Sequence, residues 1–296
     1  MNAPGGARRG AAAVPAGVDA VVVTCDSAST IDACLAALLA QPALVHVSVI
    51  DNGSRDDTAA RVRAIAAADG RISLSELPHN PGFAAGCNAG AVFGTSPWLL
   101  FVNPDLELPD HALARLLAQA ESLPAVGALG ADLRDADGRR DPAARRHDLT
   151  LARMLGAGGA REGLAIVPDA ALALQRVDAC SGALMLVPRA AFDAVGGWDE
   201  GYRLHVEDLD FCRRLREAGF CVAVANDVPV LHHRGVSSRA RPVFVEWHKH
   251  RGLWRYWWRF ESGGAALLLA PLVLSALALR LFALAWPLAL LRAARR

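Results

Sequence analysis

At 296 residues the chain can form one large domain or two small ones, with ample core either way. Hydrophobic residues make up 53% and charged residues 21%, and 31 Lys+Arg against 30 Asp+Glu leave a formal net charge of +1. That balance excludes a global field for nucleic acid, so no nucleic-acid partner is expected. Six cysteines (Cys25, Cys34, Cys87, Cys180, Cys212, Cys221) show neither CxxC nor metal-ligand spacing. They read as reduced, mostly buried thiols in the cytosol.

Residues 1–17, rich in Ala, Gly, Pro and Arg, lack a continuous apolar run and read as a disordered leader rather than a signal peptide. Residues 18–25 are a short β-branched strand ended by Asp26-Ser27, and 28–40 carries apolar residues at helical spacing with Pro42 just beyond. A second strand at 44–50 ends in Asp51-Asn52-Gly53-Ser54, and Asp56-Asp57 then opens a helix, where acidic side chains favour the N-terminal dipole. A strand at 72–77, a helix from about Gly82 and a strand at 98–102 continue the alternation. Near-continuous apolar strands between helices predict an α/β fold, a mostly parallel central sheet flanked by helices. Ligands of such sheets bind beyond the carboxyl ends of the strands. The polar segments Asp26-Ser27, Asp51 to Ser54 and Asn103-Pro104-Asp105 fall at those ends.

Residues 132–173 are polar and Arg-rich and read as a variable loop or insertion. A strand is expected at 183–187, a helix at 207–218 stopped by Gly219, and two short strands at 222–225 and 228–231. From residue 263 two apolar runs, of 15 and 11 residues, flank Arg280. Each is shorter than the ~20 residues of a simple span. Together they could span once only with Arg280 near mid-membrane, at about 2.5–3.5 kcal/mol, a cost that a re-entrant or interfacial helical hairpin avoids; membrane association in one of these forms is expected, with a helix pair that forms a homodimer as the alternative. The stretch from Trp247 to Arg259 mixes Trp and Tyr with Lys and Arg, which favour bilayer interfaces and anionic headgroups. An amphipathic helix packed on the preceding domain explains it too.

Asp51 at a strand end suits a base or ribose, although an ordinary Asp/Asn/Gly turn explains the same residues. Small residues between Asn80 and Gly90 leave room for a ligand or for a facing strand, and a helix starting there would aim N–H groups at an anion. The segment has neither the Lys of a P-loop nor dinucleotide-type glycine spacing. Asp105 offers a hard oxygen ligand for Mg²⁺ or Mn²⁺ on a diphosphate. Trp198-Asp199-Glu200 and Glu207-Asp208-Leu209-Asp210 place five carboxylates within 13 residues. On a helix Glu207 and Asp210 share a face and Asp208 points elsewhere. Crowded carboxylates shift one another's pKa, which suits general-base work, while Arg213 or Arg214 can pair with Asp210. His232-His233 offers an imidazole ligand beside a metal, but no HExxH supports a zinc hydrolase.

Taken in order, these segments resemble glycosyltransferase family 2, the inverting enzymes of GT-A fold, and especially its rhamnosyltransferase-like members. The matching residues are Val21-Val22-Val23-Thr24, Asp51 to Ser54 with Asp56, Asn80 to Gly90, Asn103-Pro104-Asp105, Ser181-Gly182-Ala183, Gly197 to Glu200, and Glu207 to Asp210 with Arg214. The resemblance implies that Thr24 and Asp51 contact the nucleoside and that Asn80, Gly82, Gly86 and Asn88 shape the donor pocket. Asp26, Asn103, Gly182, Trp198, Asp199 and Glu207 complete the expected nucleotide-sugar site. It also implies that Asp105 and His232 bind a divalent metal and that Asp208 deprotonates the acceptor. Cys25-Asp26 stands where the family usually has an aromatic residue and Asn, and Asn103 replaces the first Asp of the commoner DxD. The expected organisation is a GT-A catalytic domain at 18–240, an aromatic-basic amphipathic helix at 241–262 and an apolar membrane-associated segment at 263–296. The expected partners are a nucleotide-diphosphate sugar and a glycan or lipid-linked acceptor at the cytoplasmic face of the inner membrane. The alternatives are a catalytically idle binding or scaffold protein on the same fold, and a nucleotidyltransferase. The latter should carry a Gly-rich basic loop after the first strand, and Thr24 to Thr30 has neither Gly nor Lys/Arg.

Overall fold

The computed structural model describes residues 17–155, 163–233 and 242–293; the expected leader lies outside them. In chain order the first elements are β1 (Val18–Thr24), α1 (Ile31–Leu39), β2 (Leu44–Asp51), α2 (Thr58–Ala68), β3 (Ile72–Glu76), α3 (Phe83–Ala91), β4 (Trp98–Val102), β5 (Leu106–Glu107), α4 (Ala112–Ser122) and β6 (Val126–Arg134). There follow β7 (Arg145–Arg146), α5 (Leu151–Leu155), β8 (Leu174–Arg176), β9 (Ala179–Cys180), β10 (Leu184–Pro188), α6 (Arg189–Ala194), α7 (Glu207–Glu217), β11 (Cys221–His232), α8 (Pro242–Phe260) and, after a 3₁₀ turn, α9 (Ala270–Ala293).

The main sheet runs β3-β2-β1-β4-β10-β6-β11-β5, with β8 also on β11. Its first four strands are parallel, as the alternation predicts. Its other half is mixed: β10 is antiparallel to β4 and β6, and β11 is parallel to β6 but antiparallel to β5 and β8. Alternate side chains of β1 enter different cores. Val18, Ala20 and Val22 join α1 and α4 on one face, and Val21 and Val23 join α3, α7 and α8 on the other. Burial on both faces is why the strand reads as an unbroken apolar run.

The structure differs from expectation in three places. The two short final strands are one, β11, whose register on β6 shifts between Ala225 and Pro229; Pro229 lacks the N–H for regular pairing. Residues 132–173 are not simply a loop. Asp132 is fully buried and receives Arg134, Arg140 and the buried Arg145. Charge that reads as solvated is paired and internal. Third, the tail is not a hairpin, because α9 continues through Arg280 and Pro287 as one helix. The Arg280 guanidinium donates to the Met154 carbonyl of α5, so its charge turns toward the protein. Gly219 ends α7 as expected, at φ 89°. The N–H of Phe220 reaches the carbonyl of Leu215 and that of Gly219 reaches Arg216, a Schellman closure.

Candidate active site

The parallel strands deliver their polar ends to one edge of the sheet. Thr24 pairs with Asp51 in register, and Asn52 donates its N–H to the Thr24 carbonyl at 2.8 Å. Asp51 is buried and accepts from the Ser54 N–H at 3.0 Å and from the Ser54 hydroxyl. Asp26, at φ 52°, accepts from the Arg55 N–H at 2.7 Å while its own N–H donates to Ser54 Oγ. Asp56 takes the Ala28 N–H, which knits the β1 and β2 loops together. Two polar atoms are left over, because Thr24 Oγ1 and Asn52 Oδ1 are buried without a hydrogen-bond partner. Such atoms cost about 1–3 kcal/mol each if nothing meets them, so they are candidates to meet a ligand's polar groups. Asn52 lies within the expected motif but its side chain was not singled out by sequence.

The glycine-rich segment divides into two uses. A Cβ on Gly86 would sit 2.7 Å from Val23, and one on Gly90 2.3 Å from Val21, so these glycines let α3 press onto β1. Gly82, at φ 112°, has its N–H bound by the Asn80 side chain and its carbonyl by Asn52 Nδ2. The Phe83 N–H points at the Arg203 carbonyl at 3.4 Å, so this one amide at the start of α3 is met within the protein. Asn88 brackets the Trp198 backbone, donating to its carbonyl and accepting its N–H, both at 2.9 Å.

Beyond β4 the chain brings Asp105 to His232. The antiparallel register places His232 opposite Leu106, and His232 Nε2 lies 3.4 Å from Asp105 Oδ1, with Asp141 Oδ2 3.4 Å from Nδ1. Asp105 Oδ1 and His232 Nδ1 are buried and unpaired by any hydrogen bond. An oxygen and an imidazole converging in this way fit a hard or borderline divalent ion. Among the described residues no group of three or more His, Cys, Asp or Glu is placed to hold a metal. Among the described residues Asp105 and His232 are thus a pair rather than a full cage, which would suit an ion that completes its shell with diphosphate oxygens and water.

A short relay ties this edge to Asp208. The Asn103 N–H donates to the Ala183 carbonyl at 2.8 Å, and the neighbouring Gly182 N–H donates to Asp208 Oδ2 at 3.1 Å. Arg146 Nη2 reaches the same oxygen at 2.6 Å, and the Leu209 N–H binds Oδ1 at 2.9 Å. Burial alone would raise the pKa of Asp208. The charge and hydrogen bond of Arg146, with the Gly182 N–H, outweigh it and hold the pKa below the usual carboxylate value. Glu207 goes the other way: burial first, then the charge of Asp208, push its pKa up to about 8. Two adjacent carboxyl groups are thereby held in opposite protonation states, a recurrent basis for acid and base roles. Asp210 is fully buried and binds Arg214 at 2.6 Å, the expected i+4 pair, whereas Arg213 turns to Asp148 and Glu217.

Sequence reading missed Arg146, which lies 62 residues from Asp208 in a segment taken for a loop. Two other expected site residues face inward. Trp198 is buried and stacks on Phe211 with ring centroids 4.5 Å apart, while Asp199 is clamped by Arg255 and Arg259 of α8.

Residues 19–179 match the model of the family described as glycosyl transferase family 2. The chain is 29% identical over 287 residues, 86% of its length and 91% of the relative's, to N-acetylglucosaminyl-diphospho-decaprenol L-rhamnosyltransferase of Mycobacterium tuberculosis. It is 31% identical over 148 residues, 48% of this chain and 54% of the other, to rhamnosyltransferase WbbL of Escherichia coli K12. Among solved structures, mannosyltransferase PcManGT from Pyrobaculum calidifontis, in complex with GDP-Man and Mn²⁺, superposes with TM-score 0.61 at 18% identity, over 95% of this chain and 80% of that one. That likeness shows the fold. With the family model spanning more than half of the sequence, the chain belongs to glycosyltransferase family 2 and is a glycosyltransferase.

Proposed function

We propose that this enzyme moves rhamnose or another hexose from a nucleotide-diphosphate sugar to a hydroxyl of a lipid-linked or glycan acceptor. The step belongs to cell-envelope polysaccharide synthesis at the cytoplasmic face of the inner membrane, and it inverts the anomeric centre. The single observation that carries the chemistry is the placement of Asp208: a largely buried carboxylate paired with Arg146 and joined through Gly182 and Ala183 to the Asn103 strand end.

A carboxylate offers about four lone-pair sites. Arg146, Gly182 and Leu209 occupy three here. The remaining site on Oδ1 can take the acceptor hydroxyl's proton as its oxygen attacks the anomeric carbon. The bond from that carbon to the diphosphate oxygen breaks with its electron pair, and the nucleoside diphosphate leaves. Thr24, Asp51 and Asn52 line the strand ends where the nucleoside would lie. Asp105 and His232 would hold Mg²⁺ or Mn²⁺, which when bound supplies charge neutralisation to the departing diphosphate. A rhamnosyl donor and a diphospho-lipid acceptor are favoured by the activity for which the M. tuberculosis relative is named. Within the described residues one helix is long and apolar enough to cross a membrane, Ala266–Ala285, with 11% of that stretch buried. It supports the membrane side of the proposal.

The test is a transfer assay in membranes with Mn²⁺ or Mg²⁺, comparing dTDP-rhamnose with UDP- and GDP-sugars and reading the product anomer by NMR. Inverted product from one donor class is expected. Donor binding without any transfer to lipid-linked or glycan acceptors would return the idle-binder reading, and retained configuration would remove Asp208 as a single-displacement base.

A further inference from the structure

A crevice outside the reaction centre lies between α8 and α9, with a volume of about 300 Å³. Trp247 and Trp254 form one wall and Leu274, Leu277 and Leu281 the other. Its polar members are Arg251 and His250. His250 is only 4% exposed, and its Nδ1 lies 2.8 Å from the Glu246 carbonyl, to which it donates. The opposite ring nitrogen, Nε2, is buried without a hydrogen-bond partner. An unpartnered polar atom at an otherwise apolar crevice points to a ligand with both an apolar body and a polar group. A cleft of about 300 Å³ is at the small end of ligand-sized cavities, with room for part of a hydrocarbon chain.

The other side of α8 faces the reaction centre. Gly252 packs on His205 and Val206, Arg255 and Arg259 grip Asp199, and Tyr256 binds Asp148. The crevice is thus one helix away from the segment that leads into Asp208. We propose that it takes the single hydrocarbon chain of the lipid-linked acceptor, whose phosphate meets Arg251 and His250 Nε2. The inference rests on the lipid-linked reading above. Burial holds the His250 ring below its ordinary pKa, helped by Arg280 and Lys249. A phosphate beside Nε2 favours the protonated ring, which then donates to it.

The probe is a polyprenyl phosphate carrying a terminal diazirine, photolysed with the full chain in nanodiscs and mapped by mass spectrometry. Label is expected on peptides covering 247–254 and 274–281, competed by unlabelled polyprenyl phosphate and not by phosphatidylglycerol. Ala278→Trp should abolish it by filling the crevice, and His250→Leu, which has no donor, should weaken probe binding about fivefold, the loss of one hydrogen bond. Where A278W fails to fold by circular dichroism, H250L decides. Label elsewhere, equal competition by phosphatidylglycerol, or indifference to H250L overturns the proposal. Labelling needs no turnover, so an enzyme that transfers sugar yet takes no label here loses only this inference. A labelled protein that transfers nothing loses the reaction reading.

Discussion

The two halves of the proposed reaction edge, its donor side and its acceptor side, handle their carboxylates in opposite ways. On the donor side, Asp51 is answered by Ser54 three residues on, and Asp26 and Asp56 by loop amides of the facing turn. On the acceptor side, Asp208 is answered by Arg146 and Asp199 by Arg255 and Arg259, partners 56 to 62 residues away. The first arrangement sets a loop's shape, and any one bond in it is replaceable. The second sets protonation states, and removing one partner strands a buried charge. Loss of a donor-side contact should therefore be mild, and loss of an acceptor-side contact severe.

The largest expected effect is at the base. Asp208→Asn keeps the side-chain size but puts a donor NH₂ where one oxygen accepts from Leu209 or from Arg146 and Gly182, and it cannot take the proton; kcat should fall about 10³-fold with an unchanged circular dichroism spectrum. Undiminished transfer would remove the base assignment and half of the comparison with it. Next, Arg146→Gln leaves Asp208 buried without its cation, and a broken buried pair costs about 3 kcal/mol, read by urea unfolding. It should also move the acid limb of the rate profile. With Arg146 the Asp208 pKa is depressed, so activity and the pair's stabilisation persist above the ordinary carboxylate range and fade as pH falls through the lowered value. Without Arg146 that limb shifts to higher pH; an unmoved limb would show that some other group titrates there.

Glu207 supplies a smaller effect of opposite sign. Its folded pKa of about 8 exceeds the unfolded value of 4.5, so in that window the native state holds a proton the unfolded chain has lost. Stability therefore declines as pH rises from 4.5 toward 8. Glu207→Gln should flatten the slope and raise Tm by on the order of 5 °C at high pH, with little change near pH 5. Equal Tm shifts at both pH values would place the effect in packing instead. Smallest is Ser54→Ala on the donor side, expected to cost about 1 kcal/mol or less in stability. A loss matching that of Arg146→Gln would collapse the distinction between the halves.

The same distinction explains what the sequence makes legible. The strand ends, the Asp51 turn, the Gly219 stop and the Arg214–Asp210 pair depend on neighbours within a few residues, and spacing reveals them. Asp208 could be separated from the Glu207–Asp210 face by helical geometry alone. Arg146 and the inward turn of Arg145 depend on β7 pairing with β9, a contact between segments 34 residues apart that no local pattern announces. The His232-His233 pair shows in the sequence, but the choice of His232 came only through resemblance, because its neighbour Asp105 arrives by the β5–β11 pairing. The single helix α9 was hidden for another reason: Arg280 reads as a break in an apolar run, yet its partner is the Met154 carbonyl of the folded domain.

The docking of α8 has a practical consequence for anyone trimming this enzyme. Leu253, Tyr256 and Trp257 are buried in the same core cluster as Trp198, Tyr202 and Val206. A chain shortened to end before α8 would shed its greasy tail but uncover that aromatic floor, and it would release Asp199 from two arginines just ahead of the base. Solubility sought by truncation would thus exchange one sticky surface for another and loosen the acceptor side. Substituting polar residues at exposed positions, Leu268 in the 3₁₀ turn before α9 and Leu272 and Leu279 in α9, which are 83%, 64% and 71% exposed, leaves the floor covered.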